Sequence, residues 1–211
     1  MTQTIILDNF NINGSLTRNG TSFSGFSSSN YLTITDRYIN NTWFLQSEYT
    51  DKYAYFFNEA NSWEIFVKIT TGSIGSTRPV FGRNATSYYC PQVIITSAGK
   101  VEFCVSTDGS SWAYDVTGDY VLSANTTYYI KLEFTGTDYI CTLYDESKTV
   151  LETLTRTDSN KTKSNANIRW GYTPSNSFNG SIDFGETYIN INGVLFWKPF
   201  NEINIGSIEI V

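Results

Sequence analysis

The chain contains no histidine. That absence removes imidazole general bases, Ser-His-Asp and Cys-His nucleophile systems, and histidine metal ligands. Cysteine is sparse, with Cys90, Cys104 and Cys141 the 3 in 211 residues. An odd number cannot all pair, and no metal-ligand spacing is present. Cys104 and Cys141 fall inside apolar segments, Val101–Val105 and Tyr139–Leu143, so they read as small buried hydrophobes. Charge is also low, at 16 % of residues against about 25 % in an average domain. What there is leans acidic, 14 Lys+Arg against 20 Asp+Glu for a net −6, and no basic run exists. A nucleic-acid partner needs a basic patch, so no nucleic-acid partner is expected, and an anionic membrane surface is disfavoured for the same reason. No apolar run approaches the roughly 18 residues of a membrane span, so no membrane insertion is expected. The opening Met-Thr-Gln-Thr-Ile-Ile-Leu-Asp has neither the basic start nor the apolar core of a signal peptide, which predicts synthesis in a cytoplasm without one.

Aromatic residues make up 16 % of the chain, and Thr, Ile, Val and Tyr recur throughout. These side chains suit a pleated, half-buried surface, while the plentiful Asn, Ser, Thr and Gly suit turns. The clearest segment is Trp63–Ile69, which alternates with Trp63, Ile65, Val67 and Ile69 on one side. This is the pattern of an antiparallel strand buried on one face. Further strands are predicted at 79–82, 92–96, 100–106, 111–115, 127–135, 139–145, 150–156, 168–172, 181–191 and 194–197. Turn chemistry separates them at Ala98-Gly99, Asp108-Gly109, Gly136-Thr137-Asp138 and Asn192-Gly193. Residues 36–60 are less regular and have room for a short helix or an elaborated loop. Many short strands at steady spacing, with no ten-residue helical period, predict an all-β sandwich or barrel. Without a linker or repeat, residues 1–211 read as one domain, with 1–20 and 202–211 as attachment or oligomerisation segments.

Four segments carry a family resemblance. They are Asn61–Lys68, Thr107–Trp112, Leu122–Gly136, and Phe178–Phe184 running on through Glu186–Gly193. In order and type they resemble the concanavalin A-like, laminin-G-like domains of bacteriophage tail, baseplate and head-fibre proteins. The most specific is the last, with its Phe-x-Gly-x-Ile-Asp strand at Phe178–Asp183. The resemblance covers about two-thirds of the chain, and the first sixty residues match poorly. It implies a two-sheet antiparallel jelly-roll sandwich, a place on a virion surface, and carbohydrate or protein binding on a sheet face or at loop tips. The fold hosts lectins, glucanases and structural modules alike, so it leaves the function open.

The enzymatic option within that resemblance is glycoside hydrolysis by paired carboxylates on one strand. The resembling glucanases carry Glu-x-Asp-x-x-Glu, and the nearest segment here is Ser181-Ile182-Asp183-Phe184-Gly185-Glu186. Ser181 stands at the nucleophile position, so no catalytic residue is assigned. Calcium, common among relatives of the fold, wants roughly six to eight oxygens. Asp108, Asp158, Asn160 and Asp183 are scattered, and Lys161 and Lys163 oppose a cation, so no metal or other cofactor is assigned. Sugar binding would use aromatic faces beside polar loops. The candidates are Trp112 and Tyr114 beside the Asp108–Ser111 turn, Tyr88 and Tyr89 after residues 84–87, and Tyr172 with Asn176. Each competes with a plain packing role, since an aromatic in a sandwich is usually core or a cross-strand pair. The expected function is a virion adhesin or fibre module whose partners are a host-surface glycan and other virion proteins, assembled as a homo-oligomer, with a trimer the guess. The alternatives are a structural decoration protein and, more weakly, a polysaccharide depolymerase.

Overall fold

In the computed structural model, the residues described are 10–12, 15–18, 21–23, 31–35, 38–40, 45–47, 56–83, 89–164, 168–173 and 176–197. The strands in order begin with β1 (Phe10–Ile12), β2 (Ser15–Arg18), β3 (Thr21–Phe23), β4 (Tyr31–Thr35), β5 (Tyr38–Asn40) and β6 (Leu45–Ser47). A single helical turn, α1 (Phe56–Glu59), precedes β7 (Trp63–Thr71), β8 (Arg78–Arg83), β9 (Gln92–Ile95) and β10 (Lys100–Val105). Then come β11 (Tyr114–Val121), β12 (Thr127–Phe134), β13 (Asp138–Tyr144), β14 (Val150–Thr157) and β15 (Ile168–Trp170). The series ends with β16 (Tyr172–Thr173), β17 (Asn176–Ser177), β18 (Gly180–Ile191) and β19 (Val194–Trp197).

Two large sheets form from these strands. One runs β14-β13-β12-β7-β18-β5-β4-β2-β3, with β19 paired to β18; the other runs β1-β6-β15-β8-β9-β10-β11. The pairing is antiparallel except between β2 and β4, where Ser15 faces Tyr31 in parallel register. Period-two alternation sends Trp63, Ile65, Val67 and Ile69 of β7, and Ile130, Leu132 and Phe134 of β12, into the space between the sheets. They meet Val93 and Ile95 of β9 and Val101, Phe103 and Val105 of β10, and all are buried in one cluster. Each such side chain contributes about 1.5–3 kcal/mol by leaving water. At one end of the core Trp63 meets Phe57 edge-on at 4.9 Å, and Phe134 stacks on Tyr139 at 4.6 Å.

Two irregularities shape the surface. In β11, Thr117 faces Glu102 while Val121 faces Lys100, so residues 118–120 bulge out of register. The bulge turns the amides of Asp119 and Tyr120 toward β14, where the Glu152 carboxylate accepts both at 2.5 and 3.1 Å. A side chain at Gly118 would displace that carboxylate from these amides. In β18, Asp183 faces Lys68 and Tyr188 faces Phe66, so residues 184–187 oppose the single residue Val67. This larger bulge is pinned by the Thr187 hydroxyl, which donates to the Asp183 carbonyl at 2.7 Å.

The strand expected at 111–115 is a turn that opens into Tyr114–Val121, displaced because the Asp108 carboxylate organises residues 106–111 instead. The segment expected at 168–172 breaks at Gly171, after which β16 and β17 pair as a separate ribbon. The proposed segment 202–211 and most of 1–20 lie outside the described residues.

Candidate functional site

The side chains of β7, β12, β13 and β18 that do not enter the core share the outer face of the larger sheet. Register places Phe66 and Lys68 of β7 beside Tyr129 and Lys131 of β12, with Tyr144 of β13 opposite Tyr129. The rings assemble into one floor. Phe66 stacks on Tyr188 at 5.2 Å and 16° and on Tyr129 at 5.5 Å and 29°, and Tyr144 lies 6.4 Å from Phe66. These rings lie on the face opposite the core, so their contacts are with one another and with the charged groups around them.

Charged groups frame this floor. The β18 bulge brings Glu186 over Lys68, whose ammonium donates to it at 2.7 Å and lies 3.5 Å from Asp183. Lys148, from the turn between β13 and β14, reaches the other Glu186 oxygen at 3.3 Å, and the Tyr129 hydroxyl donates to the same oxygen at 3.1 Å. Both ammonium groups lie over the Tyr129 ring, Lys68 at 5.4 Å and Lys148 at 4.8 Å, and Tyr129 is 4 % exposed. Burial opposes the Glu186 charge. The hydrogen bonds from Lys68 and Tyr129, with the Lys68 charge, outweigh it and pull the carboxyl down to about 2. Lys68 moves the other way: burial would lower it, but Glu186 and Tyr129 hold it well above the ordinary lysine range. At the margin Lys131 pairs with Glu133 at 2.7 Å, and the Asn190 amide donates to Glu64 at 2.7 Å.

The residues singled out from the sequence lie elsewhere. Trp112 sits in the β10–β11 turn and meets Tyr89 edge-on at 4.9 Å and 79°, so these two come together, both half-buried. Tyr114 opens β11 and packs against the core, with the Arg156 guanidinium 4.4 Å over its ring. Tyr172 and Asn176 belong to the β16–β17 ribbon, where Tyr172 faces Ser177 and Thr173 faces Asn176. Tyr88 lies outside the described residues. Asp108 accepts hydrogen bonds from the Ser110 and Ser111 amides and the Ser106 and Ser111 hydroxyls. The Ser110 amide leads these in holding its carboxyl well below the usual range.

Cys104 is buried, as its segment suggested, but its surroundings are not apolar. It lies on the outer face of the smaller sheet, its sulfur 3.9 Å from Glu102 and 4.0 Å from Asp115. Burial, and then Asp115, push the Glu102 carboxyl above its ordinary value, although Thr117 donates to it at 2.7 Å.

The sequence signal for Phe66, Tyr129, Tyr144 and Tyr188 was present in part. The alternation that assigns Trp63, Ile65 and Val67 inward assigns Phe66 and Lys68 outward. What it could not give was the convergence of four strands distant in sequence, nor the bulge that returns Glu186 to the floor.

No protein-family model and no curated protein sequence matches the chain. Solved structures do. Mouse laminin α1 chain domains LG4-5 match at TM-score 0.50 and 15 % identity, over 76 % of this chain and 41 % of that one. A full-length tailspike protein 2 from Escherichia coli O157:H7 bacteriophage CAB120 matches at TM-score 0.51 and 11 % identity, over 72 % and 22 %. Botulinum neurotoxin type C, described as dependent on two ganglioside molecules for reaching the cell interior, matches at 0.52 and 12 %, over 96 % and 52 %. The chain spans about half or less of the length of each of these proteins. At such identities the likeness is one of fold, and the fold is the laminin-G-type jelly-roll sandwich of two antiparallel sheets.

Proposed function

We propose that this chain is a carbohydrate-binding module whose site is the outer face of the larger sheet, displayed on a virion surface to engage a host-surface glycan. The observation that carries the reading is the row of stacked rings on this face, Phe66 between Tyr129 and Tyr188, framed by hydrogen-bonding groups. A pyranose has one flat C–H face and a rim of hydroxyls, and flat aromatic area beside polar tips complements both. The virion placement is supported by the four segments that resemble phage tail and head-fibre domains. Carbohydrate binding among structural neighbours is in keeping with it, since the neurotoxin that shares the fold interacts with gangliosides.

The reading is non-catalytic. A glycosidase acid must hold a proton near neutral pH, whereas Lys68 and Tyr129 keep Glu186 ionised down to about pH 2. Ser181 occupies the position where the resembling glucanases carry their nucleophile.

The test is a glycan array followed by calorimetric titration of the best ligand, with Phe66→Ala and Trp112→Ala side by side. Loss of a central anchor costs about 2 kcal/mol, roughly 30-fold in affinity. Phe66→Ala is expected to show that loss and Trp112→Ala to bind normally. The reverse result moves the site to the loop end, and no binding to any glycan or host cell rejects the function.

A further inference from the structure

Among the described residues, the outer face carries three ammonium groups, and each has a carboxylate partner. Lys68 holds Glu186 and Asp183, Lys148 shares Glu186, and Lys131 holds Glu133. Glu64 adds a further negative charge, tied to the Asn190 amide. Among the described residues of this face, no cation is left over for an incoming anion, and the chain as a whole carries a net −6. An acidic sugar would have to displace Glu186 from Lys68 while sitting beside Asp183, against like charge on both sides.

Of the two ammonium groups over Tyr129, only Lys148 is freely placed. Its side chain is 56 % exposed against 16 % for Lys68. Its backbone φ of 62° is in the left-handed region, where a lysine is strained and a glycine is not. Lys148 therefore covers the ring from a turn, at a position the fold can give up.

Resting on the glycan-binding reading above, we propose that the site takes a neutral pyranose, seated over Tyr129 where the Lys148 ammonium lies, and discriminates against sugars bearing carboxylates. The sugar's C–H face replaces the ammonium on the ring, and its hydroxyls meet Glu186, already fixed by Lys68. Lys148 is thus a competitor for the site and not a ligand for the sugar.

The experiment titrates wild type and Lys148→Gly with matched oligosaccharides: neutral ones built on glucose, galactose and N-acetylglucosamine, and acidic ones carrying sialic or uronic acid. Thermal melting of both proteins confirms an equal fold. The expected result is preference for a neutral sugar by about tenfold or more, and tighter binding of it by Lys148→Gly, by about three- to tenfold. Preference for an acidic sugar, or weaker or unchanged neutral-sugar binding in Lys148→Gly, overturns the proposal while leaving glycan binding intact. Binding of no sugar by either protein overturns the underlying reading as well.

Discussion

The two outer faces of this sandwich use the same strand geometry and reach opposite electrostatic solutions. On the larger sheet, Glu186 meets Lys68, Lys148 and a tyrosine hydroxyl, and its carboxyl falls to about 2. On the smaller sheet, burial and then the Asp115 charge raise the Glu102 carboxyl, against hydrogen bonds from Thr117 and the Cys104 thiol. Both carboxylates are partly buried on a β-strand, so burial alone does not set the direction. The sign of the neighbours decides it. One face is built around retained charge. The other stores unfavourable charge that a proton relieves.

The most severe way to break this contrast is Lys68→Met. It leaves Asp183, 2 % exposed, and Glu186 facing each other without their shared cation. Removing one partner of a largely buried pair costs about 3 kcal/mol, measured by urea unfolding at pH 7. A loss below 1 kcal/mol would mean that water, not Lys68, supports the two carboxylates.

A milder probe is acid. Glu186 has a folded value below its unfolded one of 4.5, so its stabilising effect is complete above about pH 4.5 and disappears as pH falls through about 2. The fall from 4.5 to about 2 sets a ceiling of about 3 kcal/mol, and partial exposure brings the expected loss nearer 2. Glu186→Gln should flatten that part of the stability curve. An unchanged acid limb in the variant would place the pH dependence elsewhere.

Smallest is the effect on the smaller sheet, and its sign is reversed. Glu102 is raised in the fold, so its ionised form destabilises at neutral pH and the penalty fades below about pH 4.5. Glu102→Gln should therefore stabilise the protein by about 0.5–1 kcal/mol at pH 7, with the gain vanishing in acid. A destabilised variant would show that the carboxylate is neutralised by something bound there.

Much of the fold was legible because local chemistry and global packing agree. The alternation of Trp63–Ile69 gave both the strand and its buried side. Asn192-Gly193, with φ of 50° and 77°, forms the tight turn that its sequence predicts between β18 and β19. Strand β11 was misplaced because the Asp108 carboxylate holds residues 106–111 in a turn, and its bulge at residues 118–120 depends on Glu152, contributed by β14. The site was less legible for the same reason. Phe66, Tyr129 and Tyr188 are ordinary strand aromatics taken singly, and only the sheet order makes them neighbours. The aromatics beside turn signals were easier to single out, and of those, Tyr89 and Trp112 do form a pair.

The carboxylate of Glu152 has a consequence for crowding. Strand β11 is the last in its sheet, and a bare last strand can recruit a strand from another molecule and seed fibrous growth. Two of its amides are already committed to Glu152, and its bulge spoils the flat ribbon such recruitment needs. A module presented in many copies on one particle would sit at very high local concentration. There, an edge already committed to Glu152 would hinder pairing between neighbouring copies along β11.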